Sequence, residues 1–261
     1  YFGEESKLPL YYRTYPGSIS DRAHLKYMLE DNEFINAKKT RFVMDRGFYS
    51  ADNLRYLADN GYRFVIALPG SLKYCSEIIA KHGDEIKNHS AYRLGHGLPY
   101  GKKVETNALG FRMNVHLFYD NEKALKEIGS LYELIDAQED DLKNMQEPPD
   151  KNLHYDRYFF INRSKDGKLA FKRNDEAIDA RISQCGFFLI AETDYKKSTA
   201  EILDIYRRRD VIEKSFDDLK NETDMKRLRT QSGETAQGKL FVAFISQIVR
   251  AYMLNNLTDY M

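Results

Sequence analysis

One short stretch, residues 41 to 68, constrains the fold more than any other. The string RFVM is an apolar run that stops at Asp45-Arg46-Gly47, and YRFVIAL further on is a second one. Between them Ser50 is placed to cap a helix carrying Leu54, Leu57 and Ala58, and Gly61 is placed to close it. Strand, helix and strand at this spacing predict a βαβ unit, because parallel strands need a crossover long enough for a helix. Strands without polar alternation must be covered on both faces. The rest of the chain therefore has to bring helices to both sides of a sheet, with Asp45 at the C-terminal end of a buried strand. At 261 residues and 42% hydrophobic content the chain can bury such a core.

The flanking sequence is read the same way. Residues 8 to 15, rich in leucine and tyrosine and ending at Pro16-Gly17, predict a strand running into a turn, and Ser20 or Asp21 then caps a helix to about Glu30. From Pro69 to Cys185 the rhythm is irregular: FRMNVHLFYD and YDRYFFINRS read as strands, and EKALKEIGSLYELIDAQEDDLKNMQ as one or two helices. The acidic run Glu133 to Asp150 reads as a solvated helix face and linker, or as an electrostatic decoy lying over a channel for a polyanion when that partner is absent. GFFLIAET restores the strand pattern, and Ser198 with Glu201 matches a capping box before a long helix. A last helix, roughly Thr235 to Leu257, is expected to pack on the sheet through Leu240, Phe241, Phe244, Ile245, Ile248 and Val249. The expected organisation is a core in two parts, residues 1–69 and 186–261, with residues 70–185 as an inserted α+β subdomain. A chain that starts with Tyr1 on a strand-like string is expected to begin inside a larger protein.

Composition narrows the function classes. Forty basic residues balance forty acidic ones, so a nucleic-acid surface has to be a local patch rather than a global field. Cys75 and Cys185 are far apart and lack ligand spacing, which points to a reducing cytoplasm and to buried small hydrophobes. No uninterrupted apolar run approaches the roughly 20 residues of a membrane span. His82, His89 and His96 recur at regular spacing in a polar stretch, without the tighter support a zinc site needs.

The chemistry concentrates in YRRRDVIEKSFDDLK, residues 206 to 220. On a continuous helix Tyr206, Arg209, Glu213 and Lys220 fall within an arc of roughly 60°, at about 100° per residue. Ile205, Ile212, Phe216 and Leu219 form a separate apolar stripe about 80° away. Arg209 offers a two-pronged fork to a phosphate, Lys220 a point charge and Tyr206 a hydroxyl donor. Glu213 and Asp45 suit a hard divalent cation, which prefers oxygen ligands. Arg46, directly after Asp45, either touches phosphate or caps a turn. Lys226, Arg227 and Arg229 are a modest basic cluster, either DNA-facing or merely solvated, while Arg207 and Arg208 are offset by Asp210, Asp217 and Asp218 and read as a solvated face.

The four-residue spacing resembles the Tyr-Arg-Glu-Lys signature of one branch of bacterial insertion-sequence DDE transposases. LPLYYRTYPGSISD resembles the strand and turn after the first catalytic region of that branch, and VMDRGFYSADNL resembles its second; the likeness runs from residue 8 to about 250. It implies a ribonuclease-H-like core, a mixed sheet flanked by helices and interrupted by the insert, that cuts double-stranded DNA at transposon ends and joins it to a target. It also implies Mg²⁺ or Mn²⁺ in a two-metal site, with Asp45 as second acid and Glu213 as third, and a dimer on DNA in the bacterial cytoplasm. The first acid of such proteins lies upstream of the string matching LPLYYR, and residues 1 to 7 here read YFGEESK, so an incomplete active site is expected. Some relatives stack a tryptophan of the insert on a flipped base; this chain has no tryptophan, leaving Tyr158, Phe159 or another aromatic for that task. Two rival readings are a DNA-binding and assembly module without chemistry, and a structure-specific nuclease of the same fold.

Overall fold

The computed structural model describes residues 2–3, 6–14, 23, 25, 29, 40–150, 153–163, 169–194, 196–210, 213–214, 217 and 232–257. The βαβ unit is present as expected: β1 (Arg41–Met44), α1 (Ala51–Asp59) and β2 (Arg63–Leu68), with β1 and β2 parallel from the pair Arg41 and Arg63 to the pair Met44 and Ile66. Ser50 accepts the Asn53 N–H at 3.0 Å to start α1, and Gly61 takes the left-handed conformation, φ 73°, that lets the chain turn back into β2. Leu54 and Leu57 on α1 and Phe64, Val65 and Ile66 on β2 are completely buried. Downstream come α2 (Lys73–Asn88), β3 (Tyr100–Thr106), β4 (Met113–Tyr119), α3 (Asn121–Asn144), β5 (Phe159–Arg163), β6 (Leu169–Arg173), α4 (Asp175–Ser183), β7 (Phe187–Glu192), α5 (Thr199–Arg207) and α6 (Gly233–Leu257). Five strands form a mixed sheet in the order β1-β2-β7-β4-β3, and β5 and β6 form a separate two-stranded ribbon.

The chain divides into two compact units. The first contains residues 1–66, 192–197 and 201–261. In it Thr193, just past β7, donates its N–H to Phe64 O at 3.2 Å and accepts the Phe64 N–H through its hydroxyl at 3.1 Å. Asp194 next to it holds Arg41 at 3.1 Å and Arg63 at 3.8 Å, which pins the starts of β1 and β2. The second unit contains residues 67–191 and 198–200. Its β4 is buried along nearly its whole length, and Phe118 stacks on Phe188 with ring centroids 4.8 Å apart. The β5–β6 ribbon lays its inner face on a cluster of Leu131, Ile135 and Leu142 from α3, Ile178 from α4, and Tyr155, Tyr158 and Phe159.

Among the described residues, 8 to 14 form no strand, only an isolated bridge between Phe2 and Pro9. The helix expected to run to Glu30 lies mostly outside the described residues, although Ala23, Leu25 and Leu29 are helical. The final helix spans the expected range, but only Ala243 and Gln247 are buried on it, while Phe241, Val242, Ile245 and Val249 are exposed. Its apolar residues go all the way round rather than forming one inward stripe, and most of them stay exposed. By length and composition alone it is apolar enough to cross a membrane, which the sequence reading did not anticipate; one such helix is weak support for a span. The acidic run on α3 is not merely a solvated face. Asp136 and Glu139 bind Arg173, Asp141 accepts from the Tyr155 hydroxyl at 2.7 Å, and Glu147 pairs with Arg163. Tyr158 and Phe159 are 4% and 1% exposed and belong to the apolar cluster, so neither can offer a face to a base, whereas Phe160 points outward at 55%.

Candidate active site

The site begins where β1 runs out. Asp45 follows Met44 with extended backbone and caps a short 3₁₀ turn, Arg46–Phe48, by accepting the Gly47 N–H on Oδ1 at 2.9 Å. The turn is held from below by Asn53, a buried amide that donates to the Phe48 carbonyl at 3.0 Å. Sequence reading passed over Asn53; its position three residues after the capping Ser50 was the available signal. With Oδ1 committed to the turn, Oδ2 points out of it and receives Nη1 of Arg209, which lies 164 residues further along the chain. Partial burial works against the Asp45 charge, but the Gly47 N–H and the Arg209 guanidinium outweigh it and hold the carboxyl below its ordinary range.

The second half of the site comes from the Tyr206 segment, and here the expected continuous helix is interrupted. α5 ends at Arg207; Arg208 and Arg209 form a turn in which the Arg209 N–H donates to Tyr206 O, three residues back, at 3.2 Å. Helical residues resume at Asp210 and include Glu213, whose N–H reaches Arg209 O at 3.4 Å. The break leaves the side-chain cluster intact. Arg209 Nη2 bonds Glu213 Oε1 at 2.7 Å, and the guanidinium carbon lies 5.0 Å from the centroid of the Tyr206 ring, within cation–π range. Arg209 is the most enclosed of the three charged groups, 17% exposed against 46% for Asp45 and 55% for Glu213. Burial raises the Tyr206 phenol, so its hydroxyl stays protonated and remains a donor.

Four of the six residues singled out from the sequence, Asp45, Tyr206, Arg209 and Glu213, thus meet in one place. Arg46 is exposed on the 3₁₀ turn beside them, and its charge helps lower the Asp45 carboxyl. Lys220, Lys226, Arg227 and Arg229 lie outside the described residues. Arg208 folds back on Asp204 through Nε and Nη2, at 3.0 and 2.6 Å, along the exposed face of α5. His82 bonds Glu85 and Lys102 within the second unit.

Among the described residues no three His, Cys, Asp or Glu side chains gather as a metal site. Two carboxylates bound to the ends of one guanidinium are nevertheless a fitting donor pair for Mg²⁺, which takes one or two carboxylates and fills the remaining positions with water and substrate phosphate.

Fold and site define a mixed α/β protein with an acid at a strand end, a second acid from a distant helical segment, and an arginine between them. The pattern of the family described as Transposase DDE domain matches residues 2–248, and the chain belongs to that family. The five-stranded mixed sheet flanked by helices agrees with the ribonuclease-H-like fold of such transposases. Membership makes this a transposase-type enzyme domain that acts on DNA, of a kind that generally uses divalent metal ions. No curated protein and no solved structure matches the chain significantly.

Proposed function

We propose that the chain carries the second and third acids, Asp45 and Glu213, of a metal-dependent DNA transposase that hydrolyses phosphodiesters at transposon ends and transfers the freed strand to a target. The observation that carries this reading is the convergence of two acids from opposite ends of the sequence on the single guanidinium of Arg209. Asp45 and Glu213 would hold Mg²⁺ or Mn²⁺, which supplies charge neutralisation at the phosphate and a more acidic water. Tyr206 donates its hydroxyl to a phosphate oxygen, and Arg209, Lys220 and Arg46 offer positive charge to the backbone rather than to bases. In this reading residues 1–69 and 186–261 form the catalytic core around an insert at 70–185, and a dimer working in the bacterial cytoplasm holds paired DNA ends.

The test is affinity cleavage. Fe²⁺ replacing Mg²⁺, with ascorbate and peroxide, generates radicals that cut the polypeptide near the ion. Cuts beside Asp45 and Glu213 that vanish in Asp45→Asn are expected, and cuts elsewhere would remove the assignment. One observation favours a second reading, a DNA-binding and assembly module without chemistry: among the described residues the acids number two rather than three, and one arginine is already bonded to both. Such a module binds duplex DNA with steep salt dependence and never cuts it, whichever metal is added.

A further inference from the structure

Arg209 holds a position that a phosphate-binding arginine does not require. Its two terminal nitrogens are each engaged, one by Asp45 and one by Glu213, its plane lies near the Tyr206 ring, and its Nε is buried without a hydrogen-bond partner among the described residues. The guanidinium thus occupies the line between the two acids. An Mg²⁺ ion shared by both would need an oxygen of each at about 2.0 to 2.1 Å, and a planar cation hydrogen-bonded to the same oxygens excludes it by both volume and charge.

We infer that Arg209 is a built-in counter-ion, a positioning residue that holds Asp45 and Glu213 together in the metal-free protein and is displaced from them when a divalent ion loads. This rests on the reading of those two acids as metal ligands. Once displaced, Arg209 has its fork of donors free beside the same acids, where the phosphate of a bound DNA strand is the anion that can take them. Metal and DNA are then positively coupled through one side chain: the ion releases the arginine that the phosphate needs, and a phosphate that captures the arginine vacates the acids for the ion. By linkage the two effects must be equal in size, typically 5- to 150-fold.

The test is Mn²⁺ binding to this chain, followed by calorimetry and by the electron paramagnetic resonance signal of free Mn²⁺, in the native protein and in Arg209→Ala, Arg209→Lys and Asp45→Asn. Arg209→Ala is expected to bind Mn²⁺ about 5- to 150-fold more tightly than the native chain. Arg209→Lys keeps the charge but cannot bridge both acids, so it is expected to recover most of that gain. A lysine variant that behaves like the native chain would reduce the effect to simple charge repulsion and overturn the inference. Equal affinity in the native, alanine and lysine proteins, with binding lost in Asp45→Asn, would also overturn it while leaving the metal site standing. No Mn²⁺ binding by any of them would remove the metal reading itself. If the alanine variant fails to fold by circular dichroism, the lysine variant alone decides. As a second readout, saturating Mn²⁺ is expected to tighten native binding to a short DNA duplex, and Arg209→Ala to lose that response.

Discussion

Among the described residues, Arg173 and Arg209 each sit between two carboxylates, and they do different things. Arg173, on β6, bonds Glu139 through Nε at 2.6 Å and Asp136 through Nη2 at 2.8 Å. Its acids stand one turn apart on the single helix α3, and it is paired in register with Phe159, which lies in the apolar cluster beneath. It is a clasp that fastens a ribbon to a helix. Arg209 has acids from two distant segments, one of them fixed by the Gly47 N–H at a strand end, with an aromatic ring rather than an apolar cluster beside it. The chemistry of the pairs is the same. What separates a clasp from a displaceable counter-ion is the origin of the acids: two carboxylates converging from separate elements form a place an ion can enter, whereas two on one helix face form a rail for a passing strand.

The comparison can be broken at the clasp first. Phe159→Ala removes the packing on which the clasp rests and is expected to destabilise the second unit by about 3 to 5 kcal/mol, measured by urea denaturation, with no change in Mn²⁺ affinity. Asp45→Asn is expected to weaken Mn²⁺ binding more than roughly 100-fold, since losing even an outer partner of a ligand costs 10- to 100-fold; Asp136→Asn, its counterpart in the clasp, is expected to leave it unchanged. If the two asparagine variants behave alike, the distinction between the arginines fails. Asn53→Ala deletes the amide under the Asp45 turn and should cost about 1 kcal/mol of stability, with faster amide exchange at Gly47 as the local sign.

Acid sharpens the same contrast. The Asp45 carboxyl in the folded chain lies below its ordinary 3.8, so its contribution to stability is complete above about that pH and is lost as pH falls through the lower folded value. A carboxyl NMR titration should find Asp45 still ionised where an ordinary aspartate is half protonated; a midpoint at or above 3.8 would contradict the Arg209 contact. Arg173→Ala gives the smallest effect, about 0.2 to 1 kcal/mol, because the guanidinium and its Asp136 partner are solvent-exposed and screened and its Glu139 partner is only partly covered.

Local patterns were legible and long-range ones were not. The βαβ unit, its Ser50 cap and its Gly61 exit followed from apolar runs and turn chemistry, which neighbours in sequence decide. The Tyr206 segment was legible as a set of residues but not as a backbone: the break at Arg208 and Arg209 leaves no mark in a spacing that a straight helix satisfies equally well. Burial of Phe159 beside an exposed Phe160 was hidden for a related reason, since neighbouring strand residues alternate faces and the face that turns inward depends on where α3 and α4 stand, while Tyr158 is buried from the turn that precedes β5.

By itself the sequence determined the kind of elements, the acids at the strand end and in the late helical segment, and the family to which their spacing points. Only the tertiary structure decided that Arg209 faces those acids, that the acidic run on α3 clasps a ribbon, and that the last helix leaves most of its apolar surface exposed. Strand and helix propensities act over a few residues, whereas these pairings depend on Coulomb and packing contacts between groups that the fold, not the chain order, brings within reach.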